Sequence, residues 1–553
     1  MKKNPKGLSR LWLLLPFVAG LAGYYIYYFC RPDPLRMPEL LLQTLYSAVR
    51  QYAFSFDADP KVLQGMAERE PWHWGTLALL EIGRWSGMIV SANLILRVLK
   101  NIFASLRAGR TASRRDAVAL HGSEGLKKQL SGALAVPTVA EELPEAFGTS
   151  RQVIAFDTDE EAAAYARAHY EELNGAEGAG RQVFLCLRGA PESTALSRGF
   201  TVVNMTDLCA REYWEKHPLR RDGENPEDRV AVIGFGEYGK RILIRGLLKN
   251  IYLRGCGGVA YDVYGADECD PEAKLLRERL RRSVAAEEGQ DSLTFHAEYM
   301  GLTLADLEDA DRVILCLDSE EENLRALRSL SECGSRKGLY VRASGLQTAQ
   351  MLYPDLADRL DAPGSGVTLF GTDEELYTEN AVLKQSFMDR ACMIAARYRW
   401  RELDRKGQAP STSEPVGAAL RDYALKDPGF RDYWRALPSV YRESNVAAAD
   451  HISVKVRALL GRDVPLNAKT LKKAADRIRQ LEMDPEEQDL FLELEHCRWM
   501  RFFFLRGWEY APVRDNAAKR HDCLKPFEQL TREVKEYDWD SYEAIRSLVG
   551  AEE

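Results

Sequence analysis

The pattern of apolar and polar positions changes character three times along the chain. Residues 11–30, LWLLLPFVAGLAGYYIYYFC, carry no charge over twenty positions, enough to cross a hydrocarbon core as one helix. Tyr24, Tyr25, Tyr27 and Tyr28 crowd one end, where an interfacial aromatic belt belongs. The stretch is longer than a signal-peptide core and no small-x-small cleavage site follows it, so it predicts a retained anchor. A second apolar run, Gly75 to Leu99, is interrupted by Glu81 and Arg84, which are three apart and able to pair on one helix face. An amphipathic interfacial helix is the competing reading of that run. Charge decides between the two. Lys2, Lys3 and Lys6 on one side, and Arg97, Lys100, Arg107, Arg110, Arg114 and Arg115 on the other, can both stay inside only if the chain crosses twice. The pattern therefore predicts a transmembrane hairpin over 1–110 in a plasma or inner membrane. Residues 31 to about 73 lie outside or at the surface, both ends are cytoplasmic, and the lipid bilayer is the first partner.

Beyond the hairpin the period changes to short apolar runs alternating with helical stretches, the mark of a parallel α/β sheet. Ala117–Leu120, Val153–Phe156, Val183–Leu187 and Phe200–Asn204 are strands, with helices at Leu126–Leu134 and Glu160–Leu173. This first domain, 116–215, has His121 where a phosphate-binding turn would need its first glycine, so a structural copy is expected. The second domain, 226–375, is fuller. Val230–Ile233 delivers Gly234, Phe235, Gly236, Glu237, Tyr238, Gly239 and Lys240, and a helical pattern, Arg241 to Tyr252, follows. Strand, glycine turn and helix in that order suit a dinucleotide pyrophosphate: Gly234 for the turn, Gly236 for backbone approach, Gly239 for helix–strand packing. The helix N-terminus would then hold the anion. Further strands are expected at Val259–Tyr264, Leu293–His296, Arg312–Leu317, Leu339–Arg342 and Val367–Phe370, with Asp270-Pro271 capping a helix. Asp262 and Asp267 stand near the end of the second strand as ribose-binding candidates, with Asp267 preferred. Asp318 and Ser319 follow the fourth strand at the ligand-binding edge, where Ser319 can equally cap the next helix.

Two apolar helices followed by tandem Rossmann units resemble the ligand-sensing domains of potassium channels and transporters, the regulator-of-potassium-conductance or TrkA-N type. The resemblance implies a bound nucleotide, NAD or ATP in type, whose binding gates the attached membrane part. No TVGYG-like filter lies between the two apolar helices, which is a departure from the channel pattern.

Residues 376–428 turn helical and contain a linker, 408–415. The last module, 429–553, is the densest in motifs. Glu495-His-Cys-Arg-Trp499 lies on a helix, followed by Gly507-Trp508-Glu-Tyr510-Ala-Pro512, Arg514, Lys519-Arg-His521, Leu524-Lys-Pro526 and Leu530. This resembles the ryanodine-receptor repeat, with Ala511 and Asp522 departing from its pattern. Trp434-Arg-Ala-Leu437, Arg442-Glu-Ser-Asn445 and Ala449-Asp-His-Ile452 look like the segment preceding that repeat in stand-alone microbial versions. Read from the residues, Trp499, Trp508 and Tyr510 offer aromatic faces, while His496, Arg514, Lys519 and His521 offer donors. That mixture suits a nucleotide or another anion with a ring. Trp and Tyr of such a domain also serve as core, and a lone helical histidine usually does too.

Composition narrows the function classes. A chain of 553 residues holds several domains, and a net charge of −8 argues against general nucleic-acid binding. Ten cysteines without a CxxC pair suggest neither a zinc site nor a disulfide framework. No HExxH and no acid or base beside a nicotinamide site presents itself, so no catalytic residue and no metal is expected. The expectation is a membrane-anchored, homo-oligomeric ligand sensor that is not an enzyme. Its alternatives are a nucleotide-signal-activated membrane effector of antiviral defence, an NAD-dependent oxidoreductase and a structural scaffold.

Overall fold

Twenty-five consecutive residues with no helix-stopping polar cluster form α1 (Lys6–Cys30), the first helix of a computed structural model. It describes residues 6–53, 55–140, 144–175, 181–189, 199–222, 226–266, 270–284, 291–303, 306–331, 338–352, 354, 360, 366–409 and 417–549. The chain divides into two compact units, Met1–Ser113 with Leu143–Ala146, and Arg114–Glu142 with Phe147–Glu553.

In the first unit α1 is followed by α2 (Glu39–Arg50), α3 (Pro60–Arg69) and α4 (His73–Ala112). Small residues let α1 and α4 approach closely and antiparallel. Gly23 faces Leu80, and Gly20, Gly83 and Gly87 all face Gln51, which follows α2. Of the described residues, one helix, His73–Ala112, is long and apolar enough to cross a membrane, with a shorter apolar stretch at Leu14–Cys30. Glu81 and Arg84 do pair, at 3.5 Å. The tyrosine cluster departs from the expected belt, because Tyr24, Tyr27 and Tyr28 turn inward and are buried. Their hydroxyls bind the connecting segment: Tyr28 to the Ser47 hydroxyl (2.8 Å), Tyr24 to the Asp57 N–H and Tyr27 to the Asp59 N–H (3.0 Å each). That segment is no plain loop. Helix α2 buries Thr44 and Ser47 and exposes Leu41, Leu42, Leu45, Tyr46 and Val49, the inverse of the polarity that water selects.

The second unit contains two parallel sheets. In the first, β1 (Val118–Gly122), α5 (Glu124–Ala133), β2 (Thr138–Val139), β3 (Arg151–Ala155), α6 (Asp159–Ala168), α7 (Tyr170–Asn174), β4 (Gln182–Leu187), β5 (Thr201–Asn204) and α8 (Met205–Lys216) give the order β2-β1-β3-β4-β5. That is the flavodoxin-like order, not the dinucleotide-binding one. The helix expected over 160–173 breaks at His169 into α6 and α7. His121 is a core residue, its ring nitrogens meeting the Tyr165 hydroxyl (2.8 Å) and the Gln152 carboxamide (3.0 Å). A structural role accounts for it.

The second sheet comprises β6 (Arg229–Ile233), α9 (Glu237–Lys249), β7 (Ala260–Tyr264), α10 (Pro271–Val284), β8 (Ser292–His296), β9 (Arg312–Leu315), α11 (Glu320–Ser331), β10 (Gly338–Arg342), α12 (Leu346–Leu352), β11 (Val367–Phe370) and α13 (Asp373–Leu376). Its order, β11-β10-β9-β6-β7-β8, is the doubly wound arrangement of the Rossmann fold. Asp270 caps α10 as expected, accepting from the Glu272 and Ala273 N–H groups.

A π-turn, Glu379–Lys384, leads into a helical region: α14 (Ser386–Arg405), α15 (Ala418–Lys426), α16 (Pro428–Ala436), α17 (Ser439–Asp450), α18 (Ile452–Leu460), α19 (Ala468–Leu481), α20 (Pro485–Leu505) and α21 (Arg532–Leu548). Two short strands, β12 (Glu509–Tyr510) and β13 (Arg520–His521), pair between α20 and α21. The core of this region contains a buried charge cluster. Glu495, fully buried, accepts from Arg498 (2.7 Å) and Lys455 (2.7 Å). Burial would raise the Glu495 pKa, but Arg498 and then Lys455 win and hold it at about 2. The whole is an α/β protein with two parallel sheets and a mainly helical C-terminal region.

Candidate ligand-binding sites

The glycine turn of the second sheet is built as its sequence requires. Gly234 has φ +117°, a conformation that favours glycine, and a Cβ there would stand 2.9 Å from the Cys316 carbonyl. A Cβ on Gly239 would overlap the Gly234 carbonyl, so only glycine lets α9 pack this close to β6. The N-terminus of α9, however, already holds an anion. Asp318, at the end of β9, accepts from the Glu237 N–H (3.2 Å) and the Tyr238 N–H (3.3 Å) through its two oxygens. Gly236 leaves room for that carboxylate, since a Cβ there would collide with it.

The other expected residues of this turn are engaged locally. Phe235 is buried and packs against Phe295, and Lys240 pairs with Glu272. Tyr238 lies under the Arg342 guanidinium, 3.9 Å from the ring centre, with Arg342 also donating to its hydroxyl (3.3 Å). Ser319 accepts from the Glu322 N–H and caps α11. Asp262 sits in the middle of β7, opposite Ala231, where it meets Arg229 (3.5 Å) and His296 (3.3 Å) rather than the carboxyl edge. Asp267 lies outside the described residues. The turn thus has the glycine geometry expected from its sequence, and the α9 N-terminus is occupied by the protein's own acid.

A second candidate is a cavity of about 420 Å³ in the helical region. It collects His496 and Trp499 from α20, Arg514 and His521 from the following loop and strand, and residues from α14, α16, α17 and α21. Tyr398, Tyr433, Tyr441, Phe503 and Tyr537 add aromatic faces, and Ser444, Asn445, Arg498 and Asp538 add polar groups. His496 is buried and stacked on Trp499 at 5.7 Å; one nitrogen meets the Lys525 carbonyl (2.9 Å), and the other faces Asp538 (3.6 Å). Burial alone would lower the His496 pKa, but Asp538 wins and raises it. His521 is the opposite case. Burial first, then the Arg514 charge, hold it at about 4, so it is neutral at physiological pH, with Nδ1 accepting from the Cys523 N–H (3.1 Å). Arg514 donates to the Tyr441 hydroxyl (2.7 Å).

The remaining expected residues of this module stand elsewhere. Trp508 is 4% exposed and packs edge-on against Phe503, so it is core. Tyr510 is 52% exposed on β12, and Lys519 donates to the Arg506 carbonyl, both away from the cavity. Most of the residues that sequence reading missed lie on α14, α16, α17 and α21, outside the dense motif, with Arg498 and Phe503 on α20. Only the spacing of Tyr441, Asn445 and Ala448 along α17 marks a shared face beforehand. A second cleft, of about 530 Å³, contains Glu212, Lys216, Glu374, Glu375 and Phe387. Its acidic wall and single ring suit an anionic heterocycle less well than the aromatic cavity does.

Tandem parallel-sheet domains joined to an aromatic-lined helical module define a multidomain α/β protein. Residues 482–552 match the family model described as RyR domain, so the C-terminal module carries an RyR domain. No curated protein matches the chain. A solved structure titled "Crystal structure of the GsuK bound to ADP" aligns over 68% of this chain and 98% of that chain, at 11% identity and a TM-score of 0.28. That superposition is too loose to bear on this chain's fold or ligand.

Proposed function

We propose that the protein is a membrane-anchored sensor whose RyR domain binds a nucleotide-type ligand and thereby gates its membrane hairpin. The observation that carries the reading is the aromatic cavity, which brings His496, Trp499, Arg514 and His521 together with five further rings. A cavity of this size, mostly apolar with a few convergent polar groups, is the usual form of a small-molecule site. A flat heterocycle finds ring faces in Trp499 and Tyr441, an acceptor for its amino groups in Asp538, and a cation for an acidic tail in Arg514.

The sensor reading also needs a route out of the cavity. Helix α17 lines it with Tyr441, Ser444, Asn445 and Ala448 and ends at Asp450. Asp450 pairs with Arg211 on α8 (2.6 Å) and Arg245 on α9 (3.3 Å), one helix of each sheet domain. The next residue, His451, donates to the Ile251 carbonyl beyond α9 (2.9 Å). On α20, Arg501 pairs with buried Asp291 of the Rossmann domain. A shift of α17 on ligand binding would reach both sheets, and one of α20 the Rossmann sheet.

Between the two apolar helices, α2 turns Thr44 and Ser47 inward, and Gln51 after it faces Gly20 of α1 and Gly83 and Gly87 of α4; a polar side chain set against the apolar helices supports a polar path there, since intramembrane polar groups mark functional sites. These parts support a sensor. Calorimetry of the full-length protein in nanodiscs against nucleotides and dinucleotides, with Trp499→Ala as control, tests the reading. Saturable binding lost in the variant supports it, and no binding across the panel sinks it. The defence-effector alternative differs only in trigger: it expects a signal nucleotide absent from resting cells.

A further inference from the structure

Helix α4 runs for 40 residues without a break. At 1.5 Å per residue it is about 60 Å long, roughly twice the thickness of a hydrocarbon core. Trp72 and Trp74, both exposed, mark one interface, and about twenty residues from there reach Asn93, just before Arg97 and Lys100. The stretch from Val98 to Ala112 therefore extends beyond the bilayer. Yet Val98, Leu99, Ile102, Phe103 and Leu106 are each 42–63% exposed there.

These apolar residues are not scattered round the helix. Set in a seven-residue repeat, Ala92, Leu99 and Leu106 take the first core position, Ile95 and Ile102 the second, and Leu96 and Phe103 flank it. Arg97, Lys100 and Arg107 fall on the outer positions of that repeat, and Arg110 takes the flanking position of Leu96 and Phe103 at its end. On the opposite side Ala108 is buried and Ala104 half-buried, while the seam positions are exposed. A water-facing helix with such a stripe is a coiled-coil partner, and short seams suffice when a membrane confines the partners.

We propose that α4 associates with α4 of a second copy of this chain through the seam Leu99–Ile102–Leu106, in parallel and in register. This rests on the membrane reading above, because anchored copies share one orientation and their seams meet head to head. The seam is then one contact of the homo-oligomer.

Oxidative cross-linking of full-length protein in its membranes tests this. Ile102→Cys, at the seam centre, is expected to give a cross-linked dimer several-fold above wild type, while Asn101→Cys, one position outward, stays at the wild-type level. Ile102→Asp combined with Leu106→Asp is expected to lower the particle mass in detergent. Equal cross-linking at 101 and 102, or at neither, with the protein still in the membrane pellet, overturns the seam and leaves the anchor standing. Release of the protein by carbonate washing overturns the anchor, and the seam with it.

Discussion

An indole that walls a cavity and an indole sealed in a core respond differently to truncation. Trp499 is the first kind and Trp508 the second. Trp508→Ala is expected to destabilise the protein by about 3–5 kcal/mol through the void it leaves, and thermal melting of variant and wild type checks this. Trp499→Ala is expected to melt nearer to wild type while losing ligand affinity, read by calorimetry. Histidine chemistry gives a second residue-scale prediction. His451 is fully buried, and burial, then Lys455, hold its pKa at about 3. A base whose folded pKa lies below its unfolded one, about 6.5, contributes stability that is present above that unfolded value and lost as pH falls toward the folded one. The free energy of unfolding should therefore drop between pH 6.5 and 5, by up to about 1.4 kcal/mol per pH unit from this group, as read from denaturation curves. His451→Gln, which keeps a donor for the Ile251 carbonyl, should flatten the slope. An unchanged slope would mean that His451 titrates normally.

At the scale of elements, α17 is the piece through which binding is proposed to reach both sheets. Asp450→Asn removes the charge that Arg211 and Arg245 share but leaves the cavity wall intact. Ligand affinity is expected to hold within a few-fold, while ligand-induced protection of α8 and α9 in hydrogen exchange disappears. Retained protection would place the coupling elsewhere. The strands of the Rossmann sheet were legible because each is a short apolar run between turn signals, and so was the Asp270 cap. The flavodoxin-like order of the first sheet was not, because β2 is only two residues long and leaves no periodic trace. The cavity was half legible. Its α20 and loop side lies in one dense motif, whereas Tyr398, Tyr433 and Tyr537 come from helices whose contact depends on tertiary packing. Tyr24, Tyr27 and Tyr28 misled for the same reason, since spacing alone does not say whether a hydroxyl meets lipid headgroups or a neighbouring backbone.

For the whole molecule, topology and occupancy are the properties to measure. Ser47 is buried and bonded to Tyr28, so the exposed Lys61 is the better reporter of the 31–73 segment. Lys61→Cys is expected to react with an impermeant maleimide from outside and Ser113→Cys only after permeabilisation; the reverse pattern would invert the protein in the membrane. Moving a gate from 1% to 99% open takes roughly 5.5 kcal/mol of differential binding, which several sites per assembly supply more readily than one. In the Rossmann domain, Asp318→Ala should free the Glu237 and Tyr238 N–H groups and raise affinity for ADP or NAD, measured by calorimetry. No gain would show that Asp318 is not what keeps phosphate out.

Toward any phosphate that the turn takes, Asp318 would act as a tethered competitor. A carboxylate held on the same chain faces the α9 N-terminus at an effective concentration that, for short tethers, reaches the millimolar range or above. A free nucleotide must exceed that local supply, weighted by its own affinity, before it displaces the acid. Trace nucleotide would leave the turn closed, and the domain would answer only to a ligand that is abundant or tightly bound: a threshold set by chain geometry, not by the phosphate contacts themselves.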